Sequence, residues 1–368
     1  MSIFVIGVGA AGNKAVIRAT ELGVIDPLRR LLINSTERDI PENYKDMSII
    51  IGDDLRGCGK ERHLAKQAMA EYLNKNGAIF NKIPADVERV VIVTSTEGGT
   101  GSGSVPSLAE YIRDRQKIST SIVAFTGFEN DVRGLRNTIE FMKDLDEETT
   151  VQIISNKKFL FEANGNHTKA HELANDEFCK RLLVMSGKIL EETDQNIDET
   201  DLHKLLDAPG LLDITYTDIE DPLKNVDMFD KICSNMVDES KSIDFMPTAT
   251  RLGVIFNVKD SSRDSIDYSY KIFKSKYGEP YEAYTHVQEN KAYKKEFVAC
   301  IASGIKLPIE AMQKVYEEYV DRTSKISKEK DSFFEAIGSF KEFDDDKMFD
   351  MRRRRTAKVD KDTFSTDF

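Results

Sequence analysis

Up to about residue 155, short β-rich runs alternate with amphipathic helical patterns, and this alternation constrains the fold more than any other feature. The runs are Ile3 to Ile6, Leu31 to Ile33, Ile49 to Ile51, Val90 to Thr94, Ser121 to Phe125 and Val151 to Ile154. Helical spacing of apolar residues falls between them, at Lys60 to Leu73, Val105 to Arg115 and Leu135 to Leu145. Strands alternating with helices predict an α/β domain whose mostly parallel sheet carries helices on both faces. Ligands of such a domain sit at the carboxyl ends of its strands.

A longer helical pattern follows from about His167 to Glu192, with Leu173, Phe178, Leu182, Leu183, Met185, Ile189 and Leu190 on a wide apolar face. Strands return at Leu211 to Tyr216, Leu252 to Val258 and Phe297 to Ile301, separated by longer polar segments. A last helix is expected from Pro308, a residue suited to a first helical turn, with Met312, Val315, Tyr316, Tyr319 and Ile326 at helical spacing. These patterns divide the 368 residues into an α/β domain over 1–166, a central helix over 167–193 and a smaller α+β second domain over 194–305. A long C-terminal helix over 306–343 and a charged, flexible tail over 344–368 complete the reading.

No apolar stretch approaches the roughly 20 residues that span a bilayer, so no membrane association is expected. No basic segment precedes the apolar start at Ile3, and no secretion signal is expected. Cys58, Cys179, Cys233 and Cys300 are too scattered for a disulfide framework or a zinc site, which points to a reducing cytoplasm. With 64 acidic and 52 basic residues the net charge is −12, so the body of the protein is expected to repel nucleic acid.

Two glycine-rich turns follow strands of the first domain. The first strand ends in Gly7-x-Gly9-x-x-Gly12, followed at once by a helix, where backbone amides can face a phosphate. A dinucleotide enzyme would carry an acidic residue about 20 positions further on. The second strand instead ends in Asn34-Ser35-Thr36, which weakens an NAD-dependent dehydrogenase as the alternative. The second turn, Gly98-Gly99-Thr100-Gly101-Ser102-Gly103-Ser104, lacks the lysine of a P-loop. It is either a flexible connector or a phosphate loop that binds through amides and hydroxyls alone.

"GGTGSGS" after an apolar strand resembles the glycine loop of the tubulin and FtsZ superfamily, with Glu97 where a further glycine is common. The other nucleotide loops of that family have counterparts in the same order. Gly7, Gly9, Ala10, Ala11, Gly12 and Asn13 resemble the first loop, and Asn34 opens the second. "DDLRGCGKE", Asp53 to Glu61 with Gly57 and Gly59, resembles the third, which in the family senses the terminal phosphate. "FENDVR" matches the fifth, with Glu129 near the ribose and Arg133 near base or sugar. Asn156 in "SNKKFL" and Asn175 in "HELANDEF" take the positions of base-reading asparagines, and His171 that of a stacking aromatic. "NIDETDL" is similar to the loop that in this family reaches the nucleotide of a neighbouring subunit, which makes Asn196, Asp198 and Asp201 the catalytic candidates.

The resemblance covers residues 3 to 216 and implies a tubulin-like, Rossmann-type GTPase that binds GTP or GDP with Mg²⁺. It also implies a head-to-tail homopolymer in which Gly98, Gly99, Thr100, Gly101 and Ser102 hold phosphates and the two aspartates polarise the attacking water. The long last helix and charged tail look more like the TubZ and PhuZ group of plasmids and bacteriophages. That group implies a filament in a bacterial host cytoplasm that segregates plasmid DNA or positions phage DNA. The tail, with Asp344 to Asp346, Arg352 to Arg355, Phe364 and Phe368, is either a solvated charged end or the docking point of a DNA-binding adaptor, with DNA carried indirectly.

Overall fold

A computed structural model describes residues 1–52, 56–75, 81–191, 193, 196–219, 226–242, 244, 247–258, 263–289 and 295–336. Asp53, Ile326 as a side chain, and the tail residues 344–346, 352–355, 364 and 368 lie outside the described residues. The chain divides into two units, Met1–Tyr316 and Glu317–Phe368.

The described part of the first unit holds ten strands: β1 (Ile3–Val8), β2 (Arg30–Asn34), β3 (Ser48–Ile50), β4 (Arg89–Ser95), β5 (Ser119–Thr126), β6 (Thr150–Ser155), β7 (Gly210–Ile219), β8 (Arg251–Asn257), β9 (Glu282–Gln288) and β10 (Glu296–Ile305). The helices are α1 (Gly9–Glu21), α2 (Arg62–Lys75), α3 (Thr100–Tyr111), α4 (Val132–Asp144), α5 (His167–Met185), α6 (Glu199–Leu206), α7 (Val226–Asp238) and α8 (Arg263–Lys276). A last helix, α9 (Ile309–Ala336), begins in the first unit, and its residues from Glu317 belong to the second.

All ten strands form one sheet in the order β3-β2-β1-β4-β5-β6-β7-β10-β8-β9. From β3 to β7 every pairing is parallel; β10 runs antiparallel to both β7 and β8, and β9 is parallel to β8. The strands after α5 thus extend the same sheet. Along β1 alternate residues enter opposite cores, Phe4, Ile6 and Val8 on one face and Val5 on the other. The first face packs Met69 and Leu73 of α2, Val105 and Leu108 of α3, and Phe141 and Met142 of α4. The second packs Val16 of α1, Phe178 and Leu182 of α5, and Leu205 of α6. This is the two-faced α/β layering the alternation predicts.

The order β3-β2-β1-β4-β5-β6 reverses direction between β1 and β4, and open α/β sheets bind ligands at such a switch point. Two departures from the sequence reading matter for the site. The helical pattern read to Glu192 stops at Met185, because Ser186 caps the helix and Gly187 follows in the left-handed region at φ +69°. Strand β9 and helices α6, α7 and α8 lie in segments read only as polar. Among the described residues no helix is long and apolar enough to cross a membrane.

Candidate functional site

At the switch point β1 passes directly into α1 and β4 into α3. α3 begins at Thr100, so the second glycine run is in large part the first turn of a helix rather than an open connector. Neither α1 nor α3 has a side-chain cap, whereas Asp131, Asn166 and Asp198 cap α4, α5 and α6. The first amides of a helix lack intrahelical partners and carry partial positive charge. Two uncapped helix starts facing one hollow therefore favour an anion.

The hollow has a volume of about 310 Å³. Gly9, Ala10 and Ala11 line it from α1, Asn34, Ser35 and Asp39 from the end of β2, Gly57, Cys58 and Gly59 from the third loop, and Ser95 and Gly98 to Gly101 from the β4–α3 turn. The Ser35 and Thr100 hydroxyls meet at 2.8 Å, tying β2 to the start of α3. Asn34 accepts from the Ser35 amide at 2.8 Å and donates to Asp39 at 3.3 Å.

Gly7, Gly12, Asn13 and Ser102 lie beneath the hollow and do not line it. A Cβ on Gly12 would stand 2.0 Å from the Val93 carbonyl oxygen, so this glycine lets α1 press onto β4. Asn13 donates to the Ile33 carbonyl at 3.3 Å. Ser102 is fully buried and donates its hydroxyl to the Gly98 carbonyl, so the hydroxyl is used inside the turn instead of being offered to a ligand.

The third loop is fastened from outside by α4. Asn137 donates to the Lys60 carbonyl at 3.0 Å and to the Glu97 carbonyl at 2.9 Å, joining two of the loops that line the hollow. Lys60 pairs with Asp131, and Arg133 pairs with Glu61. Glu97 folds away from the hollow and accepts from the Gly127 amide at 3.1 Å. Burial pushes its carboxyl above the usual carboxylate range, partly opposed by Lys60.

Beyond the hollow, still at the carboxyl ends of β5 and β6, Asn156 and His171 are brought together. Asn156 donates to the Thr126 carbonyl at 2.7 Å, and its oxygen stands 3.1 Å from the His171 Nδ1. Phe128 stacks on His167 at 4.2 Å between ring centres and meets His171 edge-on at 5.1 Å. Burial, then the nearby Lys14 and His167 charges, hold the His171 imidazole below its usual range. Asn175 is half-buried one turn along α5, while Glu129 pairs with Lys157 at 2.5 Å. None of Glu129, Arg133, Asn156, His171 and Asn175 lines the hollow itself.

The third candidate group stands elsewhere. Asp198 caps α6 by accepting from the Asp201 amide at 2.8 Å, Asp201 pairs with Lys204 at 3.3 Å, and Asn196 is exposed. Glu199 pairs with the Met1 amine at 2.8 Å, and Asp207 with Arg89, the first residue of β4, at 2.7 Å. This loop therefore lies at the amino ends of the strands. The hollow is at their carboxyl ends, and α5, 19 residues and about 28 Å long, runs between the two ends of the sheet.

Ser35 and Phe128 fall inside motifs quoted from the sequence, Asn34-Ser35-Thr36 and FENDVR, without a role of their own, while Asp39 at the hollow and His167 beside it were missed. Asp39 ends a Thr36-capped turn, Glu37–Asp39, and a Thr-x-x-Asp pattern just after a strand end was the available signal. The stacking of Phe128 on His167 gave none, because it joins positions far apart in the chain.

Residues 2–164 match the family model described as Tubulin/FtsZ family, GTPase domain. "Cell division protein FtsZ 1" of Pyrococcus woesei is 25% identical over 227 residues, 61% of this chain and 56% of that protein. The chain thus spans little more than half the length of the FtsZ relatives it matches. A GTPγS-form protofilament of TubZ from Bacillus thuringiensis serovar israelensis superposes with a TM-score of 0.71 at 16% identity, covering 89% of this chain and 94% of that one. CetZ2 from Haloferax volcanii, a GTPγS-bound protofilament, gives 0.73 at 16% identity, covering 88% and 100%. These likenesses establish the tubulin/FtsZ fold.

Proposed function

We propose that the chain, whose residues 2–164 match the model of the tubulin/FtsZ family GTPase domain, binds GTP in the hollow between α1 and α3 and hydrolyses it only when copies join head to tail. One observation carries this reading: the hollow stands at the carboxyl ends of the strands and the loop of Asn196, Asp198 and Asp201 at their amino ends. One copy cannot bring both to a single phosphate. Two copies in a head-to-tail row can, and such a heterologous contact propagates into a filament.

In this reading the amides of Gly9 to Ala11 and Gly98 to Gly101, with the Thr100 hydroxyl, hold the phosphates. Asn156, His171 and Asn175 recognise the base, with His171 uncharged near neutral pH and able to stack. Glu129 and Arg133 leave their present partners to reach the sugar. No Lys or Arg is among the described residues that line the hollow, and Asp39 is the carboxylate there. That donor set fits a divalent cation such as Mg²⁺: Asp39 would hold it, and the ion would supply the positive charge the polyphosphate needs. Asp198 and Asp201 of the adjoining copy orient the attacking water and accept its proton.

Residues 1–166 then act as the nucleotide-binding part, 167–193 as the connection, and 194–305 as the part that presents the loop 196–202. The terminal helix is α9, Ile309–Ala336. The filament is cytomotive, and the tail over 344–368 docks a DNA-bound adaptor so that plasmid or phage DNA is moved; the charged runs Asp344 to Asp346 and Arg352 to Arg355 motivate this role. Phosphate release measured with GTP, ATP and NAD tests the nucleotide, and Asp201→Ala tests the chemistry. The variant is expected to bind GTP and sediment as filaments while losing at least about 100-fold in turnover, the scale of a lost acid-base group. Turnover at the wild-type rate overturns the role of Asp201.

A further inference from the structure

Large apolar side chains facing solvent become informative when they gather in particular places. Among the described residues, Phe161 and Val132 are exposed at the carboxyl ends of the strands and Leu22, Leu28 and Tyr281 at the amino ends, while Tyr268 and Val315 are exposed within α8 and α9. The two ends are the surfaces a head-to-tail row would join, and any contact between them rests on the filament reading.

Phe161 is 92% exposed, yet the turn that carries it is firmly built. The Ala163 amide donates to the Phe159 carbonyl at 2.9 Å, Gly165 to Leu160 at 2.8 Å and Asn166 to Ala163 at 3.0 Å. Phe159 and Ala163 are buried beneath. The ring is thus held outward, and fixing it in a contact would cost little conformational entropy.

At the other end is a hollow of about 480 Å³ with Ile3, Val5, Val24, Ile25 and Leu182 in its lining. Leu22 and Leu28, 49% and 74% exposed, belong to the same α1–β2 connection as Val24 and Ile25. Helix α5 relates the two features: Phe161 stands just before its first turn, and Leu182 and Ser186 at its far end line the hollow. A copy displaced along α5 by one subunit brings the ring toward the hollow's mouth. Lys157 and Lys158 beside the ring are paired with Glu129 and Asp244, and in the lining Arg29, Lys188 and the Met1 amine balance Asp26, Asp86 and Glu88, so the contact rests on apolar burial.

We infer that Phe161 of one copy seats in the α1–β2 hollow of the next and is an apolar anchor of the head-to-tail contact. Burying a phenyl ring there removes a large apolar area from water at both ends of every subunit. Sedimentation of the full chain with GTP over a range of protein concentrations tests the contact. Phe161→Asp and Leu28→Asp are each expected to raise the critical concentration about tenfold or more, the loss typical of a buried aromatic anchor. Binding of a fluorescent GTP analogue by dilute protein is expected to stay at the wild-type level, which verifies that each variant is folded. A second arm joins Phe161→Cys to Leu28→Cys in one chain and adds a short bismaleimide. Because Cys58, Cys179, Cys233 and Cys300 are buried, a covalent ladder reports the engineered pair, and it is expected with GTP and absent from either single variant. Failure of the wild type to sediment overturns the filament reading and the contact with it. A wild-type critical concentration for Phe161→Asp, or no ladder from double-variant protein that does sediment, overturns the contact alone.

Discussion

Gly12 shows how much a single residue can carry. Its missing side chain leaves space for the Val93 carbonyl, and Gly12→Ala would place a methyl 2.0 Å from that oxygen. The substitution is expected to cost about 3 kcal/mol, the upper end of ordinary overpacking, and a denaturant titration measures it. Glu97 offers a test with a defined sign. Burial raises its carboxyl above the usual range, so the folded chain binds this proton more tightly than the unfolded one. The wild type therefore gains stability from this group as pH falls from neutral through the raised folded value toward the ordinary carboxylate value. Glu97→Gln keeps an acceptor for the Gly127 amide and has no charge to bury. Its melting temperature is expected to exceed the wild type's at pH 7, with the gap closing as the pH approaches 4, near the ordinary value for glutamate. A gap that is constant across that range overturns the account.

Among the elements, α4 links the helix face to the candidate site. Its buried residues, among them Leu135, Ile139 and Phe141, follow helical spacing, which is why its existence was readable from the sequence. Its N-terminus does two further jobs. Asp131 accepts from the Arg133 and Gly134 amides at 3.3 and 2.9 Å and also pairs with Lys60 in the third loop. Asp131→Ala is expected to cost about 1 kcal/mol in thermal unfolding through the lost cap. Asp131→Asn restores a cap without the charge and is expected to recover most of that loss, since half-exposed ion pairs contribute little. Helix α5 was legible in type but read too long, because an apolar Ile189 and Leu190 continue the spacing past Gly187. Inside α5, Arg181 is fully buried beside Asp213, which Ser240 and Tyr277 also contact at 2.9 Å. An arginine in a helix carries no mark of burial in the sequence, so this tie between α5, β7 and the residue just after α8 was invisible there.

At the scale of the whole molecule, the separation of the hollow from the acidic loop predicts kinetics. Phosphate release per subunit is expected to fall toward zero at high dilution and to rise steeply once filaments form. A rate per subunit that does not change with concentration would mean that one copy completes the site by itself, contrary to the proposed function. The same separation predicts complementation: Asp201→Ala copies mixed with wild type are expected to lose activity in proportion to the junctions they supply, as phosphate release across a mixing series would measure.

The α/β class and the two glycine turns after β1 and β4 were legible in the amino-acid sequence, because local spacing and turn chemistry record them directly. The sequence could not say which glycines line a hollow and which, like Gly12, support it from beneath. It gave no sign that Ser102 uses its hydroxyl on Gly98, or that Asp39 comes to the same wall as Thr100. These depend on where β1, β2 and β4 lie beside one another, and contacts between distant segments are a property of the sheet order, which no local pattern contains. The same order puts the hollow at the carboxyl ends of the strands and Asp198 and Asp201 at the amino ends, with α5, about 28 Å long, running between the two ends. The resemblance implied that the acidic loop serves a neighbour's nucleotide; only the tertiary structure gave the physical reason, because the direction of each strand fixes the end of the sheet at which its loop emerges.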